Sequence, residues 1–200
     1  FKNTEAEATG RLITELVAAA GMQPTPAMAT ALLSAVATDT GWFRFSSVTG
    51  DTYRVASYLI DCGAAPDRLY RDLYENERLP RFRLAGCAMQ RARVEQEGHL
   101  IHTYLTRADF EECGAVPSDS EDIINTTLSV GGTKVAVILI EQPSGEFKVS
   151  FRSRTNLDCS KVAAQFGGGG HKAAAGATVP GPLPEAQRNV LDAVRAAMQE

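Results

Sequence analysis

Four consecutive glycines followed by a histidine and a lysine, Gly167-Gly168-Gly169-Gly170-His171-Lys172, leave a stretch of backbone whose amides no side chain obstructs. Bare N–H groups of this kind can close around an anion, with His171 and Lys172 adding donors at the rim. A flexible linker or a helix C-cap uses the same residues, and the run alone does not choose among them. The alanines that follow, ahead of Gly176, point to tight packing rather than a hinge. Other phosphate loops fit poorly. No G-K-[ST] is present, and Lys172 stands where a G-x-G-x-x-G register from Gly167 needs its last glycine. Upstream, Arg152 and Arg154 flank one serine in a β-rich run, so strand alternation predicts both on one face and Phe151 on the other, toward the core. Two guanidinium groups so placed can grip phosphate bidentately, although an isolated pair of arginines is more often an ordinary solvated strand end. A further candidate is Asp39 in Thr38-Asp39-Thr40-Gly41-Trp42-Phe43-Arg44-Phe45, which taken alone is a turn or capping residue.

The elements that must position these residues follow from periodicity and punctuation. Helical spacing runs through Ala8, Leu12, Ile13, Leu16 and Val17 within Thr4 to Ala20, and a proline-marked start leads to a second helix over Ala27 to Ala37. Gly50 to Arg93 is helical again, interrupted at Pro66 and Pro80. The texture then changes: His99 to Leu105 reads as a strand, Arg107 to Cys113 as a short helix, and Ser118 to Leu128 as another, with Ser120, Glu121 and Asp122 suited to its first turn. Thr133 to Glu141 and Glu146 to Ser153 form a hairpin around Gln142-Pro143-Ser144-Gly145. Asp158 is the expected N-cap of a helix over Cys159 to Phe166, the glycines interrupt, Ala177 to Val179 adds a strand, and Pro184 to Gln199 closes with a helix. The chain divides near residue 93 into a mostly helical part and a compact α+β part.

Composition limits the function classes. A net charge of −4 argues against a dedicated binder of long duplex DNA, though a local pocket can still be basic. Cys62, Cys87, Cys113 and Cys159 are scattered and form no C-x-x-C pair, and with three histidines a structural zinc site or a disulfide framework is not expected. Free thiols suit a reducing, cytoplasmic setting. The apolar run Val135 to Ile140 is far too short to cross a bilayer, so no membrane partner is expected. The chain begins with Phe1 and reads as part of a longer protein.

Phe151-Arg152-Ser153, Asp158 to Phe166 and the glycine–histidine–A-A-G run from Gly167 to Gly176 together resemble the DHH-associated domain at the C-terminus of DHH-family phosphoesterases. Ala37-Thr38-Asp39-Thr40-Gly41 with Phe43-Arg44-Phe45 is similar to the last metal-binding motif of the DHH domain itself. Asn125 and the strand Lys134 to Glu141 are similar to the RecJ-like, small-substrate branch of the nanoRNase/pAp-phosphatase type. The resemblance implies an α/β architecture: residues 1–92 as a helical remnant of a DHH phosphoesterase domain, then residues 93–200 as a compact α+β DHH-associated domain with a mixed sheet. It also implies a two-metal hydrolase, Mn²⁺ or Mg²⁺, acting on short oligonucleotides or 3′-phosphoadenosine 5′-phosphate.

On that analogy Asp39 is a catalytic metal ligand, Arg152 and His171 bind the substrate phosphate, and Gly168, Gly169 and Gly170 supply a backbone cradle. Arg154 and Arg44 are secondary substrate contacts, with Lys172 weaker still. The D-H-H triplet and the earlier aspartate motifs do not occur in this sequence, and Asp39 alone cannot hold two divalent cations. The chain by itself is therefore expected to hydrolyse little, and apolar surface in its first part makes a homodimer possible. The competing readings are a non-catalytic anion- or nucleic-acid-binding module, a cyclic-dinucleotide phosphodiesterase or polyphosphatase, and a RecJ-like single-strand exonuclease.

Overall fold

The computed structural model describes Asn3 and residues 6–199. By contacts the chain divides into two units, residues 1–76 and 77–200, a boundary that precedes the change of texture near residue 93 by one helix.

The first unit is helical. α1 (Thr9–Ala19), α2 (Pro26–Asp39), α3 (Gly50–Asp61) and α4 (Pro66–Tyr74) follow in order. Thr25 caps α2 by accepting the Met28 N–H, and Pro26 and Pro66 each sit in a first turn, where their missing N–H costs nothing. Ala29 and Leu33 of α2, Ala56 and Leu59 of α3 and Leu69 of α4 form its core.

The second unit opens with α5 (Leu79–Arg91) and holds a six-stranded mixed sheet of β1 (Arg93–Glu95), β2 (Leu100–Leu105), β3 (Val135–Glu141), β4 (Phe147–Ser153), β5 (Gly169–His171) and β6 (Ala174–Val179). Strand order is β1-β2-β3-β4-β6-β5, with β2 and β3 parallel and the other pairs antiparallel. The parallel pair is joined through α6 (Arg107–Cys113), a 3-10 turn (Pro117–Ser120) and α7 (Ile123–Thr127), as a parallel connection requires. The chain ends with α8 (Cys159–Ala164), the β5–β6 hairpin and α9 (Leu183–Ala197).

Alternation sorts the side chains between two faces. Val135, Val137 and Leu139 join Phe147, Val149, Phe151, Ala175, Ala177 and Val179 in one core, covered by α8 and α9 through Val162, Val190, Leu191 and Val194. Ala136, Ile138 and Ile140 join Ile101 and Leu105 in a second core, covered by Leu84 and Ala88 of α5, Cys113 of α6 and Ile123 and Ile124 of α7. Register continues that second face onto Lys148, Ser150 and Arg152 of β4 and then Ala174, Gly176 and Thr178 of β6. There it is no longer a core: these side chains are exposed or half-buried. Half of one face of the sheet is thus left open, and its residues are small, hydroxylic or cationic.

Four local expectations need correction. Ser118 to Leu128 is not one helix, because Asp122 takes a left-handed φ of 63° and separates the 3-10 turn from α7. The glycine run does not merely interrupt, since Gly169–His171 is a strand. β6 begins at Ala174, earlier than alanine-rich sequence suggested. β4 ends at Ser153, so alternation does not carry on to Arg154.

Candidate functional site: an open sheet face and a strained turn

Gly167 and Gly168 serve α8 rather than an anion. Gly167 adopts φ 70°, its N–H donates to the Ala164 carbonyl at 3.1 Å, and the Gly168 N–H donates to the Ala163 carbonyl at 2.9 Å. These paired bonds and the left-handed residue make a Schellman close to the helix. The Gly168 amide is therefore already engaged, which removes it from the expected cradle. Its glycine is required for another reason. A Cβ there would lie 2.2 Å from the Gly176 carbonyl oxygen and 2.6 Å from the Ala177 Cβ, because the chain leaving α8 runs close against β6 before forming β5. Gly170 is equally constrained: at φ 145° a Cβ would sit 2.6 Å from the Ala175 Cα. Gly169 meets nothing within 4 Å and faces open space.

The run then forms β5, which turns through Lys172 and Ala173 into β6. β5 is the edge of the sheet, so the N–H groups on its outer side are not used by the ladder. His171 pairs with Ala174, and Ala174 pairs on its other side with Arg152. Residues directly opposite in an antiparallel pair point to the same face, so Arg152, Ala174 and His171 form one row across the open face. Two strand spacings separate the outer members, about 10 Å between Cα atoms. Ala174 keeps the space between them free of a large side chain. Ser150 and Lys148 share the face with Arg152. Period-two spacing from Lys148 to Arg152 was the available signal for them.

Arg152 is half-buried and its Nη1 donates to the Phe151 carbonyl at 3.0 Å, which fixes the guanidinium near the strand. Behind it, burial pushes the Cys159 thiol up to about 11 even though the Arg152 charge works in the other direction, so this cysteine is a packed thiol, not a nucleophile. Phe151 is buried on the opposite face, as alternation required. Arg154 lies in an exposed bend beyond β4 and does not join the row; its N–H donates to the Lys134 carbonyl at 2.8 Å. Lys172 is exposed in the hairpin turn, with Nζ 3.4 Å from Asn156 Oδ1.

In the first unit, Asp39 is the exposed last residue of α2. The chain then makes a left-handed turn in which Gly41, Trp42 and Phe43 have φ of 56°, 58° and 62°. Two bulky residues in that region cost on the order of 1–3 kcal/mol each, so the turn needs support. Thr40, fully buried, supplies part: its Oγ1 donates to the Val36 carbonyl at 2.7 Å and accepts from the Phe43 N–H at 3.2 Å. Ring packing supplies more, with Trp42 edge-on to Tyr70 at 4.9 Å and to Tyr74 at 5.6 Å, and Phe43 stacked on Tyr53 at 5.4 Å. Arg44 is exposed, its guanidinium 5.8 Å from the Phe45 ring centroid. Among the described residues no three His, Cys, Asp or Glu side chains gather into a metal-holding group. Asp39 has the oxygen chemistry that Mn²⁺ or Mg²⁺ takes, but one carboxylate does not fit a two-metal centre.

An edge strand of glycines ending in histidine, with β6 between it and the strand of Arg152, lies on an open sheet face of an α+β unit. Residues 98–200 match the DHHA1 domain family. The chain belongs to the DHHA1 domain family. It is 35% identical over 189 residues to the bifunctional oligoribonuclease and PAP phosphatase NrnA of Thermus thermophilus, covering 94% of this chain and 56% of that protein. It is 22% identical over 181 residues to the probable bifunctional oligoribonuclease and PAP phosphatase NrnA of Streptococcus mutans, covering 88% of this chain and 56% of that protein. The crystal structure of an exopolyphosphatase-related protein from Bacteroides fragilis superposes with a TM-score of 0.86 at 27% identity, over 98% of this chain and 58% of that one. The chain thus spans about half the length of the curated relatives it matches. No helix among the described residues is long and apolar enough to cross a membrane.

Proposed function

We propose that the chain is the substrate-gripping portion of a metal-dependent phosphoesterase that hydrolyses short oligonucleotides and 3′-phosphoadenosine 5′-phosphate, with Arg152 and His171 as the phosphate clamp. The observation that carries the reading is their common register partner, Ala174, on the open half of the sheet. A planar guanidinium and an imidazole on one face match two oxygens of one phosphate or of adjacent phosphates. Gly169 and the outer amides of β5 add uncharged donors, and Ser150 and Lys148 extend the polar face. Arg44, Arg154 and Lys172 are peripheral contacts. The substrate class is supported by the name of the Thermus thermophilus relative, and short substrates by a net charge of −4. Four free thiols suit work in a reducing, cytoplasmic setting.

Calorimetric titration with 3′-phosphoadenosine 5′-phosphate and with a dinucleotide tests the clamp. Arg152→Ala and His171→Ala are each expected to weaken binding about tenfold or more, and Arg152→Lys is expected not to restore it, because an ammonium lacks the fork. Undiminished affinity in both alanine variants would overturn the clamp. Asp39 is read as one ligand of the pair of Mn²⁺ or Mg²⁺ ions of the whole enzyme. The chain alone, given Mn²⁺ and a dinucleotide, is expected to turn over little substrate, and robust hydrolysis abolished by Asp39→Asn would refute that.

A further inference from the structure

We propose that the DHHA1 unit carries a second ligand site, separate from the Arg152–His171 row, for a small organic anion of nucleoside-monophosphate size. A cavity of about 560 Å³ lies between the loop 155–158, α8 and the C-terminal end of α9, within the range that holds such ligands. Lys134, Lys161 and His99 bring cationic or N–H donor groups to its wall. Leu157, Val162 and Met198 form an apolar wall. Among the described residues the one carboxylate lining it, Asp158, is committed to capping α8, with Oδ1 accepting from the Ser160 N–H at 3.0 Å and the Ser160 hydroxyl at 2.6 Å.

Among the described residues neither the Lys134 nor the Lys161 ammonium makes an ion pair or hydrogen bond within contact distance, and that of Lys161 acts on the Asp158 carboxylate only through its charge. On a chain of net charge −4, two unpaired ammonium groups on one cavity favour an anion there. Metal chemistry does not suit them, since neither lysine nor a lone histidine makes a hard-cation site. A bare inorganic anion would leave the apolar wall unused, so the fitting occupant has a charged head and a planar or apolar body.

The test uses the full chain carrying Arg152→Ala and His171→Ala, so that the clamp does not contribute, with AMP as probe and backbone amide NMR as readout. AMP added up to about 10 mM, where even a site of millimolar affinity saturates, is expected to shift the amides of Gln165, Ala193 and Ala197 saturably. Adding Lys134→Ala with Lys161→Ala is expected to weaken that binding about tenfold. Inorganic phosphate in place of AMP is expected to bind more weakly. Absence of saturable shifts, binding indifferent to both lysines, or phosphate binding as tightly as AMP would each overturn the proposal. Failure of the clamp in the titrations above would leave this site untouched, because the clamp residues are already removed.

Discussion

Gly168 and Gly169 are neighbours with opposite tolerance for a side chain, and the difference locates what the glycine run is for. A methyl at Gly168 would drive into the Gly176 carbonyl, while one at Gly169 meets open space. Gly168→Ala is expected to cost about 2–4 kcal/mol in urea unfolding, since backbone rather than a flexible side-chain tip must move. Gly169→Ala is expected to stay within about 0.5 kcal/mol. Equal effects would mean that close strand packing does not explain the run. Gly168→Ala should also weaken binding of 3′-phosphoadenosine 5′-phosphate, because β5 sets the position of His171. The sequence supported both an anion cradle and a helix cap; the structure assigns Gly167 and Gly168 to the cap and leaves the edge strand to carry the histidine.

Among the elements, α6 shows how a short helix is held in place. Its first turn is closed by Asp109, whose Oδ2 accepts from the Thr106 N–H at 2.6 Å and hydroxyl at 2.8 Å. The same carboxylate pairs bidentately with Arg91 at the end of α5, at 2.5 and 2.7 Å. Burial by itself pushes the Asp109 carboxyl up, but the hydrogen bonds from Arg91 and Thr106 outweigh it and hold the group below the usual carboxylate range. A depressed carboxylate stabilises the fold above its unfolded value and loses that contribution as pH falls through the folded one. Asp109→Asn is therefore expected to lose about 2–4 kcal/mol at neutral pH. The gap from the parent chain should narrow as pH drops below about 4. A gap that stays constant down to strong acid would show that the charge is not the source. The turn after α2 is a contrasting case, in which Trp42 and Phe43 hold left-handed backbone through ring packing and the Thr40 hydroxyl.

At the scale of the molecule, the second unit has two cores on two faces of one sheet, and α5 covers one of them with Leu84 and Ala88. The stretch matching the family begins at residue 98, after α5. Residues 77–200 expressed alone are expected to unfold in one cooperative transition, and residues 98–200 to unfold at lower urea with exposed apolar surface, having lost that cover. If both pieces unfold at the same midpoint, α5 is not part of this unit's core.

Local signals were enough to predict α6 over Arg107–Cys113, the β3–β4 hairpin and the Asp158 cap, because each is set by residues within a few positions. β5 was not legible, since three residues rich in glycine carry no strand preference, and only pairing with β6 makes them a strand. The break at Asp122 was hidden for a similar reason, as a left-handed aspartate resembles any helix-favouring polar residue in sequence. Residue types alone nominated Arg152, His171 and Asp39 and ordered them along the chain. Tertiary structure alone decided that Arg152 and His171 stand on one open face either side of Ala174, because the strand order β4-β6-β5 is fixed by hydrogen bonds between segments distant in sequence.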